Sequence, residues 1–542
     1  MIALKNLARC APKRGRSLAE ISKFHQPQRC NSQASSTKDN ATTNGTSGLV
    51  NLLNKLDGPR LGQPTCVSHP HLILPHELVP GLTLAEFQQR RIELMQKIQS
   101  YASTFGDNYN GRSTKNHMLI VGAASKKYMS GKIPYVFRQN SDFYYLTGCL
   151  EPDSVLVMTI DQGSNVESML FMRPKDAHAE LWDGPRTGPE LSVPLFGVTE
   201  AHSLSQFETI LGKLVTGLKP HFWFDLKSCD LQHVKDGVIK TGSTENIQLL
   251  PVHTFLEAMR LLKSPAEMDL MRRTCHIAAQ SINEVMAETR PGQSEHHLFA
   301  SVDFKCRQRN ASFLAYPPVV AAGRNATIIH YVDNSQLLQP QDLVLMDAGC
   351  EYGGYTSDIT RTWPASGTFT DPQRTLYEMV STLQSDIIGM IGSTGGETLD
   401  QLFQSTCYRL GKYLQEIGLV SRASDDYKTV VSQGYRFCPH HVSHYLGMDV
   451  HDTPNIPRSK PLEPGMVFTV EPGVYIGEDC TDVPAEFRGI GIRIEDDLLI
   501  SQDGVVEVLT AGCIKDRQRL EHLCRQASVE TDSVSASASD SA

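Results

Sequence analysis

Four carboxylates sit inside apolar, strand-forming sequence. Asp347 and Asp358 lie in LMDAGCEYGGYTSDITRTW, residues 345–363, Glu471 in GMVFTVEPGVY, residues 465–475, and Glu495 in GIGIRIEDDLLI, which starts at residue 489. A lone carboxylate in an interior costs on the order of several kcal/mol even after relaxation, and it usually answers to a nearby base. Here four occur in one half of the chain. PHHVSHYLGMDVHD, residues 439–452, adds His440, His441, His444 and His451. Acids and imidazoles gathered this way imply something that requires them together.

The first pair reads as a hairpin. GGY is a turn signal between strand-formers, and a tight turn centred between Tyr352 and Gly353 pairs residue 351 with 354 and Asp347 with Asp358. Directly opposed side chains share a face, with Cβ atoms ~4.5–5.5 Å apart. Two like charges that close ionise together only beside a basic group or a metal; otherwise they share a proton. Alternation puts Val467, Thr469 and Glu471 on one face, and sets Ile490, Ile492 and Ile494 against Arg493 and Glu495. Four carboxylates and one imidazole suit two divalent cations, whose total charge nearly balances the acids. Hard oxygen ligation favours Mn, Co, Fe or Mg over sulfur-rich structural zinc. Two such ions ~3.5–4 Å apart acidify a bridging water and polarise a carbonyl, which is the equipment for hydrolysing an amide.

The motifs MDAG…SDITRTW, HHVSHYLGMDVHD, VEPGVY and GIRIEDD resemble, in order and spacing, those of the Xaa-Pro aminopeptidases, the aminopeptidase P branch of the "pita-bread" metallopeptidases. SDFYYLTG and ELWDGPRTG extend the resemblance into the first half, so that it covers residues 60–515. It implies metal ligands Asp347, Asp358, His444, Glu471 and Glu495, with Asp358 and Glu495 bridging two divalent ions, Mn(2+) foremost. It implies that His330, in IIHYVDN, contacts the peptide near the scissile carbonyl, that His451 stabilises the tetrahedral intermediate, and that His440 and Arg493 line the substrate pocket. Glu471 would also shuttle a proton to the leaving proline nitrogen. His441 stands where many relatives carry glycine and is left unassigned.

The implied activity is release of the N-terminal residue ahead of proline from peptide or protein N-termini. The resemblance also implies a homodimer, in which the first domain and a neighbouring subunit wall such a site. Tyr144 and Arg186 are candidates for the cross-subunit contact, weighed against plain local packing. Two alternatives stay open: a prolidase-like Xaa-Pro dipeptidase with the same ligands, and a catalytically inactive binding module on the same fold.

These side chains need a scaffold, and the chain reads as α/β (α+β), an N-terminal mixed domain followed by a catalytic pita-bread domain. NHMLIVGA, SVLVMTI, SMLFM, HFWFDL and IQLLPV are short apolar runs bounded by turns, hence strands. LAEFQQRRIELMQKIQSYA has helical spacing, with Leu84, Phe87, Ile92, Met95 and Ile98 near one face. At Ser264 a new unit opens: Ser264 as N-cap, Pro265 at the first helical position and Glu267 closing a capping box. Its helix carries Met271, Cys275, Ala278, Ile282 and Val285 on one stripe, and further helices are expected near 294–309, 372–391 and 399–417. The expected divisions are a transit peptide at 1–30, a polar linker at 31–59, the first domain at 60–258, the catalytic domain at 259–515 and a mostly disordered tail at 516–542.

Composition narrows the rest. A net charge of -9 leaves no nucleic-acid footprint, and no apolar run approaches the ~18 residues of a membrane span. The 13 cysteines are scattered without a CxxC pair, which suits a reducing compartment. The first thirty residues hold seven Lys or Arg against the single acid Glu20, with no continuous apolar core. That is the signature of an organellar transit peptide. With the resemblance it implies a mitochondrial address, with a cytoplasmic pool as a second destination. The sequons at Asn40, Asn310 and Asn325 read as chance matches.

Overall fold

The five apolar runs of the first half all enter one mixed sheet. In the structure, a computed structural model describing residues 61–104, 115–244, 248–392, 396–422 and 425–525, the strand order is Glu200–Ser203, Val166–Met172, Val155–Ile160, His117–Gly122, His221–Trp223, Leu249–Leu250. The expected transit peptide and linker lie outside the described residues, as does the tail beyond Arg525. Residues 516–525 of that tail are described, with Leu520 and Cys524 buried.

One face of the sheet packs on the helix Leu84–Ser103, whose N-cap Thr83 accepts from the Glu86 amide. Its buried stripe is Phe87, Arg90, Arg91, Leu94, Met95, Ile98 and Ala102. Ile92 is not on it and stays 38% exposed. Five residues past Phe87, Ile92 sits well round the helix from the stripe, and its place goes to Arg91. That guanidinium earns burial by donating to the carbonyls of Leu146 (2.8 Å), Phe196 (3.0 Å) and Gly197 (2.7 Å), which close two short helices that would otherwise leave orphan acceptors.

The second half opens with the helix Pro265–Glu288, and the capping box at Ser264 and Glu267 is formed in both directions. Met271, Cys275, Ala278, Ile282 and Val285 are all buried along it. Helices follow at Glu295–Gln308, Asp371–Met390 and Leu399–Glu416, each close to its expected span, and at Tyr427–Phe437, which the sequence reading passed over. They surround small antiparallel sheets: Val319–Ala322 with Leu343–Ala348 and Ile359–Pro364; Val467–Val470 with Asp496–Ile500 and Val506–Val508; and Gly473–Ile476 with Ile490–Arg493. One apolar core runs through both halves, taking in Leu78, Phe87 and Tyr144 from the first and Leu270, Met271 and Tyr355 from the second. All described cysteines are free thiols, and no described helix is long and apolar enough to cross a membrane.

The candidate metal centre

The hairpin carrying Asp347 and Asp358 forms, but in another register. Tyr352 pairs with Tyr355 and Asp347 with Thr360, so the two aspartates are not directly opposed. The turn is Gly353–Gly354, with φ of 59° and 84°. A two-residue turn of the twist that suits a hairpin needs positive φ at both central positions. The glycine pair supplies it and moves the centre one residue along. Asp358 sits between the strand segments Tyr355–Thr356 and Ile359–Pro364, two residues from Thr360 and on the same face. The carboxylates still converge: the Tyr316 hydroxyl lies 2.6 Å from Asp347 Oδ1 and 2.5 Å from Asp358 Oδ1, so one proton serves both acids.

The remaining acids arrive from the neighbouring strands. Asp358, His444 and Glu495 are buried and offer ligand atoms within 4.8 Å of one another. His444 Nδ1 faces the Tyr445 carbonyl at 3.1 Å and carries its proton there, which aims Nε2 at Asp358 Oδ2 (3.3 Å) and Glu471 Oε1 (3.8 Å). Fixing the far nitrogen on a carbonyl is how a ligating imidazole is usually oriented. Arg493 donates to Asp347 Oδ2 (2.6 Å), to the Thr360 hydroxyl (3.0 Å) and to the Tyr475 hydroxyl (2.9 Å). Thr360 in turn donates to Glu495 Oε2 at 2.6 Å.

His440 borders this group. Its Nδ1 faces the His441 carbonyl at 3.0 Å and its Nε2 the Tyr475 hydroxyl at 2.9 Å. Nδ1 therefore holds the proton and Nε2 accepts. Burial, with Arg493 beside it, lowers the His440 pKa to about 4. His451 stands edge-on to His444, ring centres 4.5 Å apart. His330 is exposed, and burial, with His444 beside it, lowers the His451 pKa. The turn Gly323–Thr327 leading to His330 presses on Gly491, where a Cβ would stand 2.0 Å from the Ala326 carbonyl oxygen. Only glycine admits that approach. His441 stacks on Phe403 and faces Asp400 at 3.6 Å, turned to a different set of neighbours.

Of the cross-subunit candidates, Tyr144 is buried and reaches the Gly353 carbonyl at 3.2 Å, which is internal packing. Arg186 donates to the Pro174 carbonyl at 3.1 Å.

Tyr316, Thr360 and Tyr475 were not among the residues singled out from the sequence. Thr360 was within reach, because alternation from Asp358 puts it on the same face; Tyr316 offers no local signal.

The electrostatics call for positive charge. Burial raises Asp347 to about 6 against the pull of Arg493, and raises Glu471 to about 7. Glu495 is pushed far up by burial and by Asp358, Glu471 and Asp347. Burial would lower the His444 pKa, yet Asp358 and Glu471 carry it to about 9. A donor set of four carboxylates and one oriented imidazole, short of cationic partners, fits divalent metal ions.

Comparison with known proteins agrees. Residues 269–502 match Metallopeptidase family M24, and residues 87–223 match the Aminopeptidase P, N-terminal domain. Human Xaa-Pro aminopeptidase 3 is 40% identical over 86% of this chain and 91% of its own length. Arabidopsis thaliana intermediate cleaving peptidase 55, mitochondrial, is 35% identical over 88% and 90%. Zinc-substituted Escherichia coli aminopeptidase P in complex with product superposes with a TM-score of 0.73 at 32% identity, covering 82% of this chain and 99% of that one. The chain belongs to the aminopeptidase P family of Xaa-Pro aminopeptidases, built from that N-terminal domain and an M24 metallopeptidase domain.

Proposed function

We propose that this protein is a metal-dependent aminopeptidase that releases the N-terminal residue from peptides whose second residue is proline. The observation that carries the reading is the convergence of Asp358, His444 and Glu495 ligand atoms within 4.8 Å, with Asp347 joined through Tyr316 and Glu471 through His444. In this reading Asp347, Asp358, His444, Glu471 and Glu495 would hold two divalent ions, Mn(2+) first among them. When bound, the ions acidify a water and polarise the scissile carbonyl.

The chain's own groups do the rest. Glu471 takes up a proton on its carboxylate and returns it to the departing proline nitrogen. His451 donates toward the oxygen that gains charge as the carbonyl becomes tetrahedral. His330 holds the peptide near the scissile carbonyl. His440 and Arg493 form the pocket wall, and the Tyr475 hydroxyl, between them at 2.9 Å from each, ties the two together.

A homodimer completes the wall around a site that admits about one residue before the cut. Leu181 and Trp182, 81% and 76% exposed on the first domain, supply apolar surface for such a contact. The physiological substrates are imported mitochondrial proteins. The mitochondrial peptidase among the relatives supports that address, as does the basic N-terminal segment, and a cytoplasmic pool is the second destination. The deciding assay compares Xaa-Pro dipeptides with Xaa-Pro-Xaa-Xaa peptides under Mn(2+) and other divalent ions. Longer peptides are the expected substrates, and a preference for the dipeptide would replace this reading with a prolidase-like one.

A further inference from the structure

His451 is held from the other half of the molecule. Its ring is exposed, and among the described residues its ring contact is the edge of His444, with no hydrogen bond holding it. What aims the imidazole is therefore the backbone of residues 447–453. The loop carries its own hydrogen bonds, from the Gly447 amide to the Asp449 carbonyl (3.2 Å) and from the Asp452 amide to the Tyr445 carbonyl (3.0 Å), yet Thr453 is buried with a φ of 47°, a conformation that a β-branched residue adopts only when its surroundings impose it.

Those surroundings come from residues 138–142 and 257–263. Arg138 Nη2 donates to the Met448 carbonyl at 2.6 Å and stands 3.0 Å from Asp449 Oδ1. Its Nε is fixed by Glu351 at 2.7 Å. The Ser141 hydroxyl donates to Asp449 Oδ1 at 2.7 Å. Arg260 is nearly fully buried. It donates to Asp142 (2.7 Å), to Asp449 Oδ2 (2.6 Å) and to Asp452 Oδ1. Lys263 approaches the other oxygen of Asp452 at 3.6 Å. Just beyond, Glu257 accepts from the Asn455 amide (2.9 Å) and side chain (2.6 Å). Asp449 is thus gripped by Arg138 and Ser141 of the first domain together with Arg260, and Asp452 by Arg260 of the helix His253–Leu261 that joins the domains and by Lys263 just beyond it.

We infer that Arg138, Ser141 and Arg260 are positioning residues for catalysis, setting His451 across the domain seam through Asp449, Asp452 and the Met448 carbonyl. The first domain in this account does more than wall the cleft, since it fixes the geometry of a group that meets the substrate. The inference rests on the role given to His451 above.

A double-mutant cycle separates the two claims. Arg138→Gln should lower kcat about tenfold, as small misplacements of a catalytic group do, with KM and bound metal unchanged. Arg138→Lys should recover only part of the rate, because a point charge cannot reproduce the fork that meets Glu351 and Met448 together. In a His451→Ala background the same Arg138→Gln change should have almost no effect on kcat. An equal tenfold loss in both backgrounds, or loss of metal along with rate, would overturn the positioning role while leaving His451 its own. A wild-type rate for His451→Ala would overturn the role of His451 and this inference with it. Ser141→Ala, which removes one hydrogen bond without altering charge, provides a second cycle should Arg138→Gln fold poorly. It is expected to show a smaller loss of kcat, again only where His451 is present.

Discussion

Glu495 and Asp496 are neighbours on one run of chain, equally buried, and opposite in electrostatic situation. Asp496 is saturated: it accepts from Arg361 (2.7 Å), Thr510 (2.7 Å), Gln384 (3.0 Å) and Lys515. Burial works against its charge, but Arg361 and Lys515 hold its pKa far below the usual carboxylate range. Glu495, in the two-residue link between the strands Ile490–Arg493 and Asp496–Ile500, meets a threonine hydroxyl and three more carboxylates. Charge met by two cations, as at Asp496, is what a fold does with a buried acid it keeps for structure. Glu495, without a salt bridge among the described residues, is the candidate acid for an external cation.

The contrast can be broken on either side. Removing a shared anion from the unmatched side should have the largest effect. Asp358→Asn is expected to lower kcat/KM by more than the roughly 100-fold seen for changes one layer out from a metal, with the far-UV spectrum unchanged. Wild-type activity in that variant would end the dinuclear assignment.

On the matched side the damage should appear in stability. Arg361→Met removes one of the two cations on Asp496, leaving Lys515, and strands the carbonyls of Glu495 and Cys513, which the guanidinium now serves. Breaking a buried pair from one side costs about 3–5 kcal/mol. Urea unfolding should register that loss while the metal content of the folded fraction is retained. A cost below about 1 kcal/mol would mean that the pair behaves as an exposed one.

Chelation tests the unmatched cluster as a whole. Stripping divalent ions should lower Tm as well as activity, by the equivalent of about 3 kcal/mol for ions present at some hundred times their Kd. An unchanged Tm after verified removal would count against the claim that this cluster needs outside charge.

The smallest effect is expected in the first domain, where His117 and His221 pair across parallel strands with rings stacked 5.1 Å apart. Burial, helped by His221, lowers the His117 pKa to about 4. The unfolded chain therefore takes up this proton first as pH falls below the ordinary histidine value of about 6.5. The stability contributed by the neutral ring is full above that value and declines as pH drops toward 4. Thermal melts between pH 7 and pH 4 should show a shallower acid slope for His117→Asn than for the unaltered protein; identical slopes would remove the assignment.

Much of this was legible in the sequence, for physical reasons that differ by feature. The capping box at Ser264 reads directly because its partners are three residues apart and need nothing beyond local geometry. The four acids read because charge inside apolar alternation is costly wherever the strand is placed. The hairpin centre lies one residue beyond the expected one, since either arrangement of Tyr-Gly-Gly-Tyr satisfies the pattern and the φ preference of two glycines decides between them. Helical spacing puts Ile92 near the apolar face, whereas Arg91 takes the buried place by capping three carbonyls distant in sequence. Tyr316 was illegible: the residues that give it meaning lie 31 and 42 positions away, and no periodicity links them.

The turn at Gly353–Gly354 acts as a ruler. Side chains alternate across a strand, so the addition of a single residue between Tyr352 and Tyr355 would turn one arm of the hairpin over relative to the other. Asp347 and Asp358 would then face away from each other with every side chain intact. The space beneath the turn is closed as well, since a Cβ at Gly354 would stand 2.3 Å from the Tyr144 ring. In this protein the length of a two-residue turn is as much a determinant of the candidate metal site as any carboxylate in it.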